Sequence, residues 1–227
     1  NVIMMELAEL LKIFCVGERH MYSKFLNVDP EKQERIINAA SKEFAQKGYD
    51  NASTNEIVKE AGISKGLLFH YFNNKKGLYL FIFDYLQEMF REKIYENINW
   101  NEKDLFIRYR EIGLLKFELI KSHPETVNFI KVAYLEDSNE VKSDLEQRQN
   151  ILIATAYQKL FSDFDHSKFK ENIDINKAIQ IIFWSMEGFA NQQQEKLKAL
   201  SMDQVNPEET LVEMESYLDM LKEAFYK

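Results

Sequence analysis

Cysteine, proline and glycine are all scarce in this chain of 227 residues. The single cysteine, Cys15, excludes an internal disulfide framework and is typical of a protein from a reducing compartment. Three prolines and seven glycines supply too few turns for an all-β fold, whereas residues that favour helices are abundant. The composition therefore predicts an all-α fold.

Long apolar runs are also lacking. The apolar stretch YLFIFDYLQEMF is interrupted by Asp84, and the charged residues Glu6, Glu9 and Lys12 interrupt the N-terminal segment. Neither a membrane span nor a secretion signal is expected from these patterns. We expect a cytoplasmic protein that does not bind membranes.

The chain has fewer positive than negative residues: 29 Lys and Arg and 37 Asp and Glu give a net charge of −8. The deficit is uneven along the chain. Residues 29–80 carry a net charge of +1, whereas residues 81–227 carry −9. Such an asymmetry indicates that the two parts meet different partners.

Apolar residues recur at helical spacing along most of the chain, which predicts a bundle of about nine or ten helices. Residues 1–28 are expected to be an N-terminal extension that forms a short amphipathic helix. Residues 29–80 are predicted to be a small three-helix domain, and residues 81–227 a larger helical domain.

The stretch AGISKGLLFHYFNNKKGLY, residues 61–79, holds three of the seven glycines and one of the four histidines. Ser53 and Glu56 form a capping box that predicts the start of one helix, and Gly62 ends that helix. Ser64 then caps a second, short helix. A helix, a tight turn and a second helix make up the layout of a helix-turn-helix.

The second helix carries an unusual outward face. Its members are Lys65, Gly66, Phe69 and His70, flanked by Leu67 and Tyr71. This face suits a DNA groove, where lysine binds base edges or phosphate, glycine allows close approach and apolar groups contact thymine methyls. A helical hairpin whose glycine only makes a turn is the alternative, and the spacing alone does not exclude it.

The sequence TNEIVKEAGISKGLLFHYFNNKKGLY, with the preceding RIINAASKEFAQKGYDNAS, resembles the DNA-binding signature of the tetracycline-repressor (TetR) family of bacterial regulators. The resemblance covers about residues 30–80 and implies a repressor that binds a palindromic double-stranded DNA operator as a homodimer. It further implies that a small, mainly apolar effector molecule releases the operator. The implied DNA-binding residues are Thr54, Asn55, Ser64, Lys65, Gly66, Leu67, Phe69, His70, Tyr71 and Lys75.

Two of these positions depart from the common pattern of the family. Leu67 replaces a frequent threonine and Phe69 a frequent tyrosine, so two hydroxyl contacts are absent. The departure leaves the operator sequence open, although the mode of binding is unaffected.

Residues 81–227 contain no motif, and their aromatic side chains suggest an apolar effector pocket. The candidates are Phe106, Tyr109, Phe117, Phe129, Tyr134, Tyr157, Phe183 and Trp184. Ordinary core packing is the alternative for most of them. The resemblance implies a dimer interface on the last two helices, for which the candidates are Ile182, Phe189, Met214, Leu218 and Leu221, with intramolecular core again the alternative.

Enzymatic, cofactor and metal chemistry are not expected. The chain has neither a glycine-rich phosphate loop nor an HExxH motif, and Asp163 and His166, although one helical turn apart, lie in a polar stretch. The competing function is a helical ligand-binding or adaptor protein of the same fold that does not bind an operator. Intact Lys65, His70, Tyr71 and Lys75 favour the regulator.

Overall fold

The computed structural model describes residues 22–199 and 206–227. These residues form ten α-helices, one short 3-10 helix (His166–Lys168) and an isolated bridge between Phe169 and Tyr226, so the predicted all-α fold is confirmed for them. The α-helices are α1 (Ser23–Leu26), α2 (Pro30–Asn51), α3 (Thr54–Ala61), α4 (Lys65–Phe72), α5 (Lys75–Asn97), α6 (Leu105–Ser122), α7 (Pro124–Tyr134), α8 (Lys142–Leu160), α9 (Ile175–Ala199) and α10 (Pro207–Phe225). Of the expected N-terminal extension, residues 1–21 lie outside the described residues.

Side-chain caps account for several helix starts. The carboxylate of Asp29 accepts hydrogen bonds from the backbone N–H groups of the first turn of α2, and Pro30 occupies the first helical position. Asp104 caps α6 and Asn206 caps α10 in the same manner. Gly48 interrupts α2 near its C-terminal end with a φ of 67°, a left-handed conformation that glycine adopts at little cost.

The described residues divide into two compact units. Unit 1 contains residues 22–87 together with Asn128–Ile151, and unit 2 contains Glu88–Val127 together with the described part of Leu152–Lys227. Helices α5, α7 and α8 contribute residues to both units. The division expected at residue 80 stays a prediction.

The core of unit 1 is rich in aromatic rings. Phe44, Tyr79 and Phe129 are fully buried, with ring centroids 4.8 Å apart for Phe44 and Tyr79 and 5.5 Å apart for Tyr79 and Phe129. Tyr49 packs edge-on against Tyr79 at 5.2 Å. Edge-on contacts of this kind are favourable beyond the area that they bury, so they stabilise the scaffold that carries α3 and α4.

The core of unit 2 is centred on Phe106, whose ring meets that of Tyr226 at 4.8 Å. Ile182 and Leu218 are fully buried in the same core. Beside it, the buried guanidinium of Arg108 donates hydrogen bonds to the carbonyl oxygens of Leu160 (2.7 Å) and Ser162 (2.8 Å). Arg108 thereby fixes the turn that ends α8.

Candidate nucleic-acid interface and effector-binding region

The turn between α3 and α4 is built as the sequence predicts. Gly62 is left-handed, with φ 66° and ψ 39°, and the backbone N–H of Ile63 returns to the carbonyl oxygen of Val58 at 3.0 Å. This pair of features is the usual way to satisfy the last carbonyls of a helix. The hydroxyl of Ser64 then accepts a hydrogen bond from the backbone N–H of Leu67 at 3.2 Å, which starts α4 at Lys65.

Helix α4 has one inner and one outer face. Leu68 and Phe72 are buried inside unit 1, as are Ile57 and Ala61 of α3. The predicted DNA-binding residues remain at the surface: Asn55, Ser64, Lys65, Gly66 and His70 are exposed, and Thr54, Leu67, Phe69, Tyr71 and Lys75 are half-buried. The fold therefore brings the predicted set together on one small domain.

The ammonium group of Lys65 lies 5.7 Å from the centre of the Phe69 ring, one helical turn further along α4. A cation over an aromatic face is weakly attracted to it at an exposed site. The contact orients Lys65 without neutralising its charge, so the ammonium stays available to a phosphate or a base edge.

A tight junction links α4 to α5. Asn73 ends α4 with a φ of 63°, and the side-chain oxygen of Asn74 accepts a hydrogen bond from the backbone N–H of Gly77 at 2.8 Å. A Cβ atom on Gly77 would lie only 2.1 Å from the carbonyl oxygen of Phe72. The absence of a side chain at Gly77 is therefore what lets α5 start so close to the end of α4.

Both lysines at the start of α5 already have partners within unit 1. The ammonium of Lys75 donates to the carbonyl oxygens of Asp50 (3.1 Å) and Ala52 (3.4 Å) and lies 4.6 Å from the centre of the Tyr49 ring. Lys76 forms an ion pair with Asp144 at 2.8 Å. A DNA phosphate at this end of α5 would therefore share or replace these contacts.

Residues 136–144, which we call the acidic segment, hold the end of α2. Glu136 accepts a hydrogen bond from the backbone N–H of Tyr49 at 2.7 Å, and Glu140 accepts one from its hydroxyl at 2.6 Å. The hydroxyl of Ser138 donates to the carboxylate of Asp50 at 2.7 Å. Burial and the nearby Glu140 carboxylate raise the pKa of Tyr49. The kink before the helix-turn-helix is thus fixed by residues that are distant in sequence.

Glu43 on α2 provides a second support for the helix-turn-helix. Its buried carboxylate accepts hydrogen bonds from the backbone N–H of Ser53, the residue that caps α3, and from the ammonium of Lys47, both at 2.8 Å. Burial raises the pKa of Glu43, but the hydrogen bonds from Lys47 and Ser53 outweigh it, and the net pKa is lowered. The start of α3 is therefore tied to α2 through a charged group.

The predicted pocket residues fall into two groups. Tyr109, Tyr157 and Phe183 come together in unit 2 around Phe161, which the sequence-based prediction missed although it lies one helical turn beyond Tyr157. Ring centroids are 4.7 Å apart for Tyr157 and Phe161, 4.7 Å for Tyr157 and Phe183, and 6.1 Å for Tyr109 and Phe161. We call these four half-buried rings the aromatic cluster.

The remaining predicted pocket residues lie elsewhere. Phe106 belongs to the core of unit 2, whereas Phe129 and Tyr134 belong to unit 1. Phe117 lies beneath the ammonium of Lys121, 5.1 Å away. Trp184 is 60% exposed.

A basic pair lies in unit 2 at the junction of α6 and α7. The ammonium of Lys93 is 2.6 Å from Nε2 of His123, and Nδ1 of His123 is 2.7 Å from the hydroxyl of Ser122. Because that hydroxyl donates to the carbonyl oxygen of Glu118 at 2.7 Å, it accepts from Nδ1–H, and Nε2 accepts from Lys93. In this arrangement Lys93 supplies the positive charge of the pair, and His123 lies against the Phe90 ring, with ring centroids 6.0 Å apart.

Helices α9 and α10 expose an apolar face. Trp184 is 60% and Met220 66% exposed, and Ile181 and Tyr217 are also exposed. A groove of about 650 Å³ is open beside them and is lined by Ser185, Gly188, Phe189, Gln192, Tyr217, Met220, Leu221 and Ala224. We call these exposed and groove-lining residues the α9–α10 face.

The predicted dimer residues lie partly on this face and partly behind it. Phe189 and Leu221 line the groove. Ile182 and Leu218 are fully buried in the core of unit 2, and Met214 packs toward Gly113, where an added Cβ would lie 2.3 Å from the terminal methyl of Met214. On α9 the exposed residues Ile181 and Trp184 lie on either side of buried Ile182. On α10 the exposed residues Tyr217 and Met220 flank buried Leu218 in the same way.

Within the part of the chain that the structure describes, no group of three or more His, Cys, Asp and Glu side chains is arranged to hold a metal ion. No helix there is long and apolar enough to cross a membrane.

The helix-turn-helix of this chain is similar to that of known bacterial transcriptional regulators. The family model of bacterial regulatory proteins of the tetR family matches residues 36–81. The chain is 35% identical over 117 residues to the HTH-type transcriptional regulator YuxN of Bacillus subtilis (strain 168), an alignment that covers 52% of this chain and 39% of that regulator. It is 27% identical over 162 residues to the fatty acid metabolism regulator protein of the same organism, covering 69% of this chain and 80% of the relative.

The fold is also similar to that of solved structures. The transcriptional regulator FadR from Bacillus subtilis, in complex with stearoyl-CoA, superimposes with a TM-score of 0.59 at 21% identity. That match covers 83% of this chain and 96% of the FadR chain. At this identity, the likeness is one of fold.

Proposed function

We propose that this chain, whose residues 36–81 match the tetR family of bacterial regulatory proteins, is a DNA-binding transcriptional regulator of that family and acts as a repressor. In this proposal a homodimer binds a palindromic operator through α4 and releases it when a small, mainly apolar effector binds to unit 2. The observation that carries the proposal is the outer face of α4, where Lys65, Gly66 and His70 are exposed at the start and middle of a helix anchored by buried Leu68 and Phe72. Such a helix fits the major groove of DNA.

The α9–α10 face supports the homodimer. Contiguous exposed apolar surface of this kind is unfavourable in water and commonly marks an interface. We propose that Trp184 and Met220 of each subunit pack into the groove beside Gly188 of the other, where the missing side chain lets two helices approach closely. A dimer gives two recognition helices, which can read half-sites about 34–36 Å apart.

The aromatic cluster supports an apolar effector. Three of the four half-buried rings lie on α6, α8 and α9, and the fourth, Phe161, directly follows α8; together they offer a surface for an alkyl or aromatic group. The basic pair of Lys93 and His123 adds a positive charge that would attract an acidic group on the same molecule. A long acyl chain with an acidic head combines both properties. The fatty acid metabolism regulator among the relatives and the FadR structure with bound stearoyl-CoA make a long-chain acyl-CoA the first compound to test.

The acidic segment supports a route by which an effector could change DNA binding. Helix α8 carries Asp144, which pairs with Lys76, and continues to Tyr157 of the aromatic cluster. Near the same end of α8, Arg148 donates to both carboxylate oxygens of Asp84 on α5 at 3.0 Å. We propose that a shift of α8 on effector binding moves the start of α5, and with it the orientation of α4.

The test of operator binding is selection of bound sequences from a pool of random DNA duplexes by the full-length protein. We expect a palindromic sequence to be enriched. Lys65→Ala should change which sequence is selected, because a base contact is worth about 1–3 kcal/mol, whereas Lys75→Ala should weaken all sequences about equally. Selection of no duplex at all would refute operator binding and favour the adaptor alternative.

The test of the effector is titration of the protein with a long-chain acyl-CoA in the presence and absence of the selected duplex. By linkage, each partner must weaken the other by the same factor, and couplings of about 1–3 kcal/mol are typical. Coenzyme A without the acyl chain is the matched control. Equal acyl-CoA affinities with and without duplex would contradict an effector that releases the operator.

A further inference from the structure

Helix α1 packs against α4 and α5 in unit 1, although it is only four residues long. Phe25 of α1 is fully buried. Its ring centre lies 4.8 Å from that of Phe72 on α4 and 5.1 Å from that of Phe81 on α5. It also meets the ring of Tyr71 edge-on, at 5.6 Å and an interplanar angle of 61°.

Polar contacts hold α1 at this position. The hydroxyl of Tyr22 donates to the carbonyl oxygen of Gly77 at 3.2 Å, and its ring meets that of Phe81 edge-on at 4.9 Å. The side-chain amide of Gln33 on α2 donates to the carbonyl oxygen of Val28 at 2.6 Å. A helix of this length does not form on its own, so these contacts and the burial of Phe25 are what fix it.

The match to the family model begins at residue 36 and therefore leaves α1 outside it. Tyr71, by contrast, lies inside the match, on the last turn of α4. Its ring is in contact with Phe25, His70 and Phe72. Among the residues that the structure describes, the Tyr71 hydroxyl has no hydrogen-bond partner, while Tyr71 itself is half-buried.

We propose that Phe25 is a positioning residue for Tyr71 and that α1 belongs functionally to the DNA-binding domain. Phe72, which follows Tyr71, is buried in the core, whereas Tyr71 is half-buried. Its ring neighbours His70 and Phe72 adjoin it in sequence on α4, and Phe25 meets it from a different helix. In this proposal the edge of the Phe25 ring fixes the Tyr71 ring in the orientation from which its hydroxyl donates to a DNA phosphate. This inference rests on the proposed function, since it assumes that α4 meets DNA.

A double-mutant cycle separates positioning from general stability. Tyr71→Phe removes only the hydroxyl and should weaken binding to the selected duplex about tenfold, because a hydrogen bond to a charged group is lost. Phe25→Leu keeps an apolar side chain in the core but removes the ring edge that orients Tyr71. In the Phe25→Leu background, Tyr71→Phe should therefore cost less than about twofold, since an unpositioned hydroxyl contributes little.

Phe81→Leu is the matched control. Phe81 contacts Phe25, Tyr22 and Phe72 in the same core but has no ring contact with Tyr71. In the Phe81→Leu background, Tyr71→Phe should keep its full, roughly tenfold effect. The thermal unfolding midpoint of each variant shows whether the two core changes are comparable, and Phe25→Met replaces Phe25→Leu if the latter does not fold.

The outcomes are distinct. Tyr71→Phe effects that are equal in the wild-type and Phe25→Leu backgrounds would overturn the positioning role while leaving operator binding intact. No effect of Tyr71→Phe in the wild type would overturn it as well, because there would be no hydroxyl contact to position. A protein that selects no duplex would overturn both the proposed function and this inference.

Discussion

Substituting alanine for Gly66 should raise the stability of the protein and weaken its binding to DNA. Gly66 lies in the first turn of α4, is exposed, and an added Cβ would meet no atom within 4 Å. Alanine in a helix is favoured over glycine by about 0.5–1 kcal/mol, chiefly because alanine has fewer conformations in the unfolded chain and loses less entropy on folding. For a chain of this size we expect the thermal midpoint to rise by about 2–4 °C per kcal/mol.

The same methyl group should be unfavourable against DNA. If α4 enters the major groove with its backbone close to the bases, the added carbon must displace the helix or the base edge, a misfit that typically costs about 1–3 kcal/mol. That range corresponds to a loss of about five- to 150-fold in affinity. Fluorescence anisotropy with a labelled duplex measures the affinity, and calorimetry or circular dichroism measures the thermal midpoint.

Gly77→Ala is the contrasting variant, since its Cβ would lie 2.1 Å from the carbonyl oxygen of Phe72. Backbone cannot yield as a flexible side chain does, so this change should lower both stability and DNA binding. A Gly66→Ala protein that is more stable and binds the duplex as tightly as the wild type would refute the close approach of α4 to DNA.

Three further predictions concern the supports of the recognition helix and the proposed dimer. The pKa of Glu43 is lowered in the folded protein, so its carboxylate contributes stability above the unfolded pKa of 4.5, and this contribution is lost as the pH falls through the folded pKa. Glu43→Gln should therefore lower the free energy of unfolding at pH 7. Denaturant titrations should show that the difference in unfolding free energy between Glu43→Gln and the wild type becomes smaller in acid. Asp144→Asn should free Lys76 from its ion pair, tighten DNA binding and steepen its salt dependence by about one unit; an unchanged slope would contradict competition between Asp144 and phosphate. Met220→Glu should convert a dimer into monomers in sedimentation experiments, whereas Glu223→Gln, an exposed change on the same helix, should leave the dimer intact.

Local signals explain which parts of the fold could be predicted from the sequence. Ser53, Gly62 and Ser64 each act on the two or three peptide groups next to them, and the observed bounds of α3 and α4 follow from these caps. The predicted resemblance to the TetR family is confirmed by the family model, which matches residues 36–81. Caps and turns need no knowledge of the remaining chain.

Contacts between distant residues could not be predicted in this way. The pairing of Lys76 with Asp144, or of Tyr49 with Glu136, depends on how α8 and the acidic segment return to α2 and α5. The sequence around Phe129 and Tyr157 likewise does not predict which of the two compact units each ring packs in. For α9, which is apolar on most sides, periodicity also gives no reason to bury Ile182 and expose Ile181.

Acid should distinguish the two turns that hold α3 and α8. The start of α3 depends on Glu43, a group that a proton neutralises, whereas the end of α8 is held by Arg108 through backbone carbonyl oxygens that do not titrate. Arginine keeps its charge throughout the range in which proteins fold. The hydrogen bonds that Arg108 makes to this turn are therefore independent of pH in a manner that the Glu43 contact to α3 is not, and amide hydrogen exchange in mild acid should show α3 opening more than the end of α8.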